Sequence, residues 1–398
     1  MISSQQLGER LADARKRARL TQAQVAERLS VARTTLVAIE KGERRPSNSE
    51  LLALSEILSV SVNDLLREGY VRAEVSPRFR MLGADKGSPE IGDAVERLRT
   101  LGARYVALER VHGLRRMRAP LEALQTYRVE PEAPEGLDAE LLGEDAARTV
   151  RGMLGLGDEP VAALHVRLES EAGFRIFCLE QLPQKLSAFL IWSDELGACV
   201  GVNAAHPPER QRWSLAHELG HFLRDREAGD VLDVGASMKA PSEVFPESFT
   251  REFLMPSAGV RKRFTEHCRS GKFTPVDLAG LARGFEVSFQ AMALRLEELR
   301  LLPRGTYEKI RQNKLSPREL AKTHIAPLGS ALRGFPERYI DLAVSAYEQE
   351  LLSESEFAEY LDTDVASARD IYLSRQQIPV EDGMQLSVDF SGADLRSA

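Results

Sequence analysis

The chain has 398 residues, too many for one ordinary domain, so two or three domains are expected. With 43% apolar and 28% charged residues it reads as a soluble globular protein; no apolar run is long enough to span a bilayer, and the N-terminus lacks the apolar core of a signal peptide, so a cytoplasmic protein with no membrane role is expected. The three scattered cysteines imply no disulfide framework, and a net charge of −7 argues against general coating of nucleic acid while leaving room for a local basic face.

Residues 1–68 read as a first, helical domain. In "LGERLADARKRARL", Leu7, Leu11, Ala14 and Ala18 fall on one stripe of an amphipathic helix. Thr21 opens "TQAQVAERL" as an N-cap, and Gln24, three residues on, can complete a capping box. The break "SVA" leads into "RTTLVAIEKG", in which Leu36 and Ile39 face inward and Gly42 stops the helix in the left-handed conformation that glycine tolerates. Two more short helices follow in "RRPSNSELLALSEILSVSVNDLL", with Ser47 or Asn48 as the cap of the first.

Two short helices joined by a tight turn, inside a bundle of about five, make a helix-turn-helix arrangement. The stretch "TQAQVAERLSVARTTLVAIEKGERRPS" resembles the Xre/phage-repressor family of DNA-binding domains. The resemblance implies that the second helix enters the major groove of an operator. Arg33 and Thr34 would then reach base edges and Ala32 a thymine methyl. Gln22, Thr35, Arg44 and Arg45 would grip phosphates, as would Arg15, Lys16, Arg17 and Arg19. One such domain reads a half-site, so a homodimer on double-stranded DNA is expected.

Residues 69–140 carry little signal. "GADKGSPEIGD" reads as a loop, the stretch from Ala94 to Leu124 as partly helical, and "YRVEPEAPEGLDAELLGED" as a linker. The basic run Arg110, Arg115, Arg116 and Arg118 is expected to be a solvated helix face, the alternative being a contact with DNA or a partner.

Residues 141–303 change texture. Two helices around a Gly-rich turn are followed by the apolar runs "FRIFCLEQL", "LSAFLIWSD" and "ACVGVNAA", which suggest a small, mostly antiparallel sheet. "PPERQRWSLAHELGHFLRD" then reads as a helix. Positions i and i+4 share a helix face, so His217 and His221 can point two imidazoles at one cation. Glu218 sits next to them as a general base. Zinc lowers the pKa of water it binds towards neutrality, so two histidines beside a carboxylate suit hydrolysis. Imidazoles in an apolar helix would also be costly to bury unless ligated or hydrogen-bonded.

A catalytic zinc site needs a third protein ligand. "APSEVFPESFTREFLMP" reads as a helix with Phe245, Phe249, Phe253 and Leu254 on one face, and either Glu243 or Glu247 could serve. "ERQRWSLAHELGHFL" followed by "EVFPESFTREFLMP" resembles the ImmA/IrrE-type zinc metallopeptidases. On that pattern the third ligand falls at Glu243. Pro246 and Thr250 stand where small residues are usual, and a helix shortened by Pro246 would favour Glu247 instead. The resemblance implies zinc, with manganese as a substitute, and cleavage within a protein substrate such as a transcriptional repressor, in a stress or mobile-element response. His206, Arg210 and His267 are candidate oxyanion partners, the alternative for each being a structural role.

Residues 304–398 read as further helices with a loose polar tail, Ser353 and Glu356 forming a capping box. The expected fold is thus α+β and predominantly α: a five-helix domain, a zincin-like domain with the HExxH helix, and a helical C-terminal region. The expected function is a DNA-binding regulator carrying a zinc-dependent endopeptidase. The alternatives are a regulator whose peptidase-like domain senses a ligand, metal or protein without turnover, and an antitoxin-like or phage-defence regulator.

Overall fold

The computed structural model describes residues 2–18, 20–58, 60, 62–66, 80–82, 89–114, 124, 126–129, 138–226, 231–233, 242–268, 273–312, 332 and 334–376. Arg19, Arg115, Arg116 and Arg118, most of the Pro- and Glu-rich linker and the C-terminal tail lie outside the described residues. The chain divides into two compact units, residues 1–339 and 340–398.

Helices α1 (Ser4–Arg17), α2 (Gln22–Arg28), α3 (Arg33–Glu40), α4 (Asn48–Leu58) and α5 (Val62–Leu66) form the expected bundle. Thr21 and Gln24 make the reciprocal capping box that starts α2. Ser47 caps α4: its hydroxyl accepts from Glu50 N, while Glu50 accepts from Ser47 N. Leu7, Leu11, Ala14, Val25, Ala26, Leu36, Ile39 and Leu54 share one core. Ala18 departs from the expected stripe. It is the C-cap of α1 and is exposed, because the helix ends before its face returns to the core. The turn between α2 and α3 holds Ser30 at φ 57, and Gly42 follows α3 at φ 73.

Beyond the bundle come β1 (Arg80–Leu82), α6 (Pro89–Val111), α7 (Ala139–Met153), α8 (Leu164–Ser170), β2 (Arg175–Leu179), β3 (Ala188–Ser193), β4 (Gly197–Asn203), α9 (Pro208–Asp225), β5 (Val231–Asp233), α10 (Val244–Leu254), α11 (Ser257–His267), α12 (Pro275–Gly284), α13 (Phe289–Glu298), α14 (Thr306–Gln312) and α15 (Glu337–Glu348). The sheet runs β1-β5-β3-β4-β2. It corrects the antiparallel expectation, for it is mixed. Strand β3 is antiparallel to β4 and β5, whereas β2 pairs with β4, and β1 with β5, in parallel. Only β3 and β4 are joined by a tight turn, and a short turn enforces antiparallel pairing while longer excursions leave direction open.

Helix α9 packs against β3 and β4 on one side and α10 on the other. Phe245, Phe249 and Phe253 are fully buried and stack along α10, each such side chain contributing about 1.5–3 kcal/mol of burial. Helix α7 lies on α10 at Gly143, where a Cβ would sit 2.6 Å from Phe245 O. Helix α6 covers β2 and β4. Its buried Glu109 meets Arg175 of β2 at 2.8 Å and Arg338 at 2.6 Å, so the segment that says least in sequence is keyed into the sheet by ion pairs.

In the second unit α16 (Glu354–Tyr360) and α17 (Val365–Gln376) follow the rest of α15. Ser353 and Glu356 form the expected capping box. Tyr347 stacks on Phe357 with ring centroids 4.9 Å apart.

Candidate metal centre

Helix α9 starts at Pro208, whose missing N–H is an orphan at a helix start in any case. The loop before it is held by Asn203, which donates to the carbonyls of Pro183 and Leu186 and accepts from Ala205 N. Leu215, Leu219, Phe222 and Leu223 anchor α9 in the core. The opposite stripe carries His217 and His221, their ring centroids 4.9 Å apart.

The third group arrives on α10. Helix α10 begins at Val244, with Glu243 in the N-cap position. Pro246 therefore falls in the first turn, where no N–H is required, and does not shorten the helix. Thr250 donates back to Pro246 O at 2.8 Å. The two helices approach closely at Gly220, where a Cβ would lie 3.0 Å from Pro246 Cα. That contact carries the Glu243 carboxylate to both imidazoles: Oε2 is 3.1 Å from His217 Nε2 and 3.6 Å from His221 Nε2. One donor atom from each of His217, His221 and Glu243 lies within 4.8 Å of the others, and all three residues are buried.

Glu247 takes a different place. It is 3.8 Å from His217 Nδ1, on the other side of that ring. Burial raises its pKa above the usual carboxylate range, against the pull of His217 and Arg251. Burial acts on Glu243 in the same sense, but the hydrogen bonds of His217 and His221 outweigh it, so its pKa is lowered. For His221, burial disfavours the imidazolium; the bond to Asp225 and the charges of Glu243 and Glu218 reverse this, and its pKa is pushed up to about 10. The pocket thus favours positive charge, carried by protons or by a cation.

A metal ion fits these residues. Two imidazoles and a carboxylate are a donor set that zinc, a borderline cation, takes. Glu243 Oε1 and His221 Nε2 are buried without a hydrogen-bond partner among the described residues, and buried polar atoms are rarely left so unless something else satisfies them. Glu218 is buried beside the cluster, 1% exposed. The i, i+4 spacing that pairs the histidines extends one more turn to Asp225, whose Oδ2 is 2.8 Å from His221 Nδ1. The HExxH pattern alone does not carry that signal.

The three candidate oxyanion partners make hydrogen bonds elsewhere. His206 Nε2 is 3.0 Å from Gln184 O, Arg210 donates to Ser187, and His267 Nδ1 is 2.8 Å from Arg263 O. A cavity of about 220 Å³ lies against the first turns of α9, lined by Leu164, Leu215, Arg212 and Glu286 among others.

In the N-terminal bundle, Ala32, Arg33 and Thr34 stand exposed at the start of α3, with Thr35 half-buried beside them. Arg44 and Arg45 are exposed, Arg44 paired with Glu50 at 2.9 Å. Two residues expected at phosphates are held inside the bundle. Arg15 grips Glu40 through two nitrogens, and Gln22 donates to the same carboxylate at 2.9 Å. Arg15 is a strut between α1 and α3, because a half-buried acid such as Glu40 favours a paired cation.

Residues 169–297 match the peptidase M78 family model, an IrrE N-terminal-like domain, and residues 6–68 match the model of a helix-turn-helix domain. No curated protein matches the chain in sequence. The chain therefore joins a DNA-binding helix-turn-helix domain to an IrrE-like, metallopeptidase-like domain.

Proposed function

We propose that this protein is a DNA-binding regulator whose IrrE-like domain is a zinc-dependent endopeptidase, and that it cleaves a regulatory protein such as a transcriptional repressor. The observation that carries the reading is the meeting of His217, His221 and Glu243 beside the buried Glu218. His217 and His221 would hold the ion through Nε2 and Glu243 through its carboxylate. When bound, zinc supplies Lewis acidity and acidifies the water it binds; manganese can do the same. Glu218 takes a proton from the attacking water and returns it to the leaving amine. His217, His221, Glu218 and Glu243 are all buried, which strengthens each charge interaction there.

The helix-turn-helix supports an operator-binding role in the cytoplasm. Arg33 and Thr34 read bases, Ala32 meets a thymine methyl, and Thr35, Arg44 and Arg45 contact phosphate. Gln22 reaches phosphate by exchanging its bond to Glu40. Two copies bind a two-fold operator. The domain limits that fit this division are 1–68, 69–140, 141–303 and 304–398.

The test is cleavage of repressors encoded beside this gene by the zinc-loaded protein and by Glu218→Gln. Loss of a catalytic base removes about 10²–10⁴-fold of rate. Equal cleavage by both proteins sinks the catalytic assignment. A second reading, a regulator that senses a ligand without turnover, draws on the cavity against α9. It predicts no cleavage by either protein and a metal-dependent change in operator affinity.

A further inference from the structure

We propose that Asp225 is a positioning residue of the metal centre, fixing the tautomer and ring angle of His221 so that Nε2 faces Glu243. The inference rests on the metal-dependent reading above and extends it to a residue outside the HExxH pattern.

Asp225 Oδ2 lies 2.8 Å from His221 Nδ1. An ionised carboxylate only accepts hydrogen bonds, so the proton of a neutral imidazole is drawn to Nδ1. The lone pair is then left on Nε2, which is buried, 3.6 Å from Glu243 Oε2, and without a hydrogen-bond partner among the described residues. This is the arrangement by which a ligating histidine is oriented through its second nitrogen. Nδ1 of the other histidine, His217, is 3.8 Å from Glu247, beyond hydrogen-bond distance. The carboxylate bond to Nδ1 at 2.8 Å is made by Asp225 to His221.

Local helix chemistry argues against a merely structural Asp225. It is the last residue of an 18-residue helix. A carboxylate there faces the negative end of the helix dipole, where Lys or Arg is favoured. What it gains in return is the bond to His221, a side chain with no exposed surface. His217, His221 and Asp225 follow one another at i, i+4 and i+8, so one helix both presents the imidazoles and orients the second of them.

The test uses the full chain, stripped with a chelator and titrated with Zn²⁺ against a competing indicator, as wild type, Asp225→Asn and Asp225→Ala. Asp225→Ala is expected to bind zinc about 10–100-fold more weakly, and its Co²⁺-loaded form to show an altered d–d spectrum. Asp225→Asn keeps an oxygen that accepts from Nδ1–H, and is expected to retain more of the affinity than Asp225→Ala. Circular dichroism of the metal-free proteins reports whether each variant folds. Long-range ¹H–¹⁵N spectra of the zinc-loaded wild type give a readout that needs no variant: His221 is expected to carry its proton on Nδ1. Unchanged zinc affinity and Co²⁺ spectrum in a folded Asp225→Ala, or a His221 protonated on Nε2, overturns the positioning role and leaves the metal centre standing. A wild type that binds no zinc overturns both.

Discussion

His217 and Glu243, 26 residues apart in the chain, meet at 3.1 Å between Nε2 and Oε2. Glu243 sits at the head of α10 and His217 in the middle of α9. Their meeting depends on the close contact of Gly220 with Pro246. The departure from the family pattern at Pro246 is thus part of what delivers the carboxylate.

The two candidate acids should separate cleanly. Glu243→Ala is expected to purify with substoichiometric zinc even when metal is supplied in excess. Glu247→Gln should retain zinc, because Glu247 faces Nδ1 of His217 and not the shared Nε2 side. Metal analysis after desalting distinguishes them, and the reverse order would make Glu247 the ligand.

The metal-free protein should lose stability as the pH is raised. The pKa of His221 is raised from 6.5 to about 10 in the folded chain. A group raised in this way stabilises fully below its unfolded pKa, and that stabilisation disappears as the pH climbs through the folded value. The difference in melting temperature between chelated wild type and His221→Gln should therefore shrink from pH 6.5 to 10. Zinc displaces the same proton, so zinc affinity should rise over this window. A melting difference that widens with pH contradicts the assignment.

The helix-turn-helix turns make a paired prediction. Ser30 adopts φ 57, which glycine reaches without strain. Ser30→Gly is expected to stabilise the bundle by up to about 1 kcal/mol. Gly42→Ala should destabilise it by more than that, since Gly42 has φ +73 and an added Cβ would lie 2.5 Å from Gln5 Cα. Urea unfolding followed through the bundle's helical signal measures both, and a destabilising Ser30→Gly would count against the turn geometry.

On DNA, Arg33→Ala should weaken binding to the operator far more than binding to unrelated duplex, by about 1–3 kcal/mol for a base contact. Arg45→Ala should weaken both alike and reduce the salt dependence by about one unit. Titrations at several salt concentrations measure this. An Arg33→Ala that lowers all affinities equally would make Arg33 a phosphate contact.

Much of this was legible because it is local. Capping boxes at Thr21 and Ser353 lie within four residues, and the i, i+4 spacing places His217 and His221 on one face wherever the helix goes. The sheet was less legible. Short apolar runs such as "FRIFCLEQL" declare strands but not directions, and β2 turned out parallel to β4. The segment around Glu109 carries no motif because its role is an ion pair with Arg175, 66 residues away.

By itself, then, the sequence determined the helices, the paired imidazoles, the glutamate beside them and the exposed start of α3, since each depends on periodicity and caps within a turn or two. Only the tertiary structure set Glu243, and not Glu247, against His217 Nε2, turned Arg15 inward to Glu40 and brought Asp225 to His221 Nδ1. Which atom of a side chain meets which partner depends on how closely two helices approach and where each begins. At α9 and α10 both are set by a glycine opposite a proline, a contact between residues that local rules treat separately.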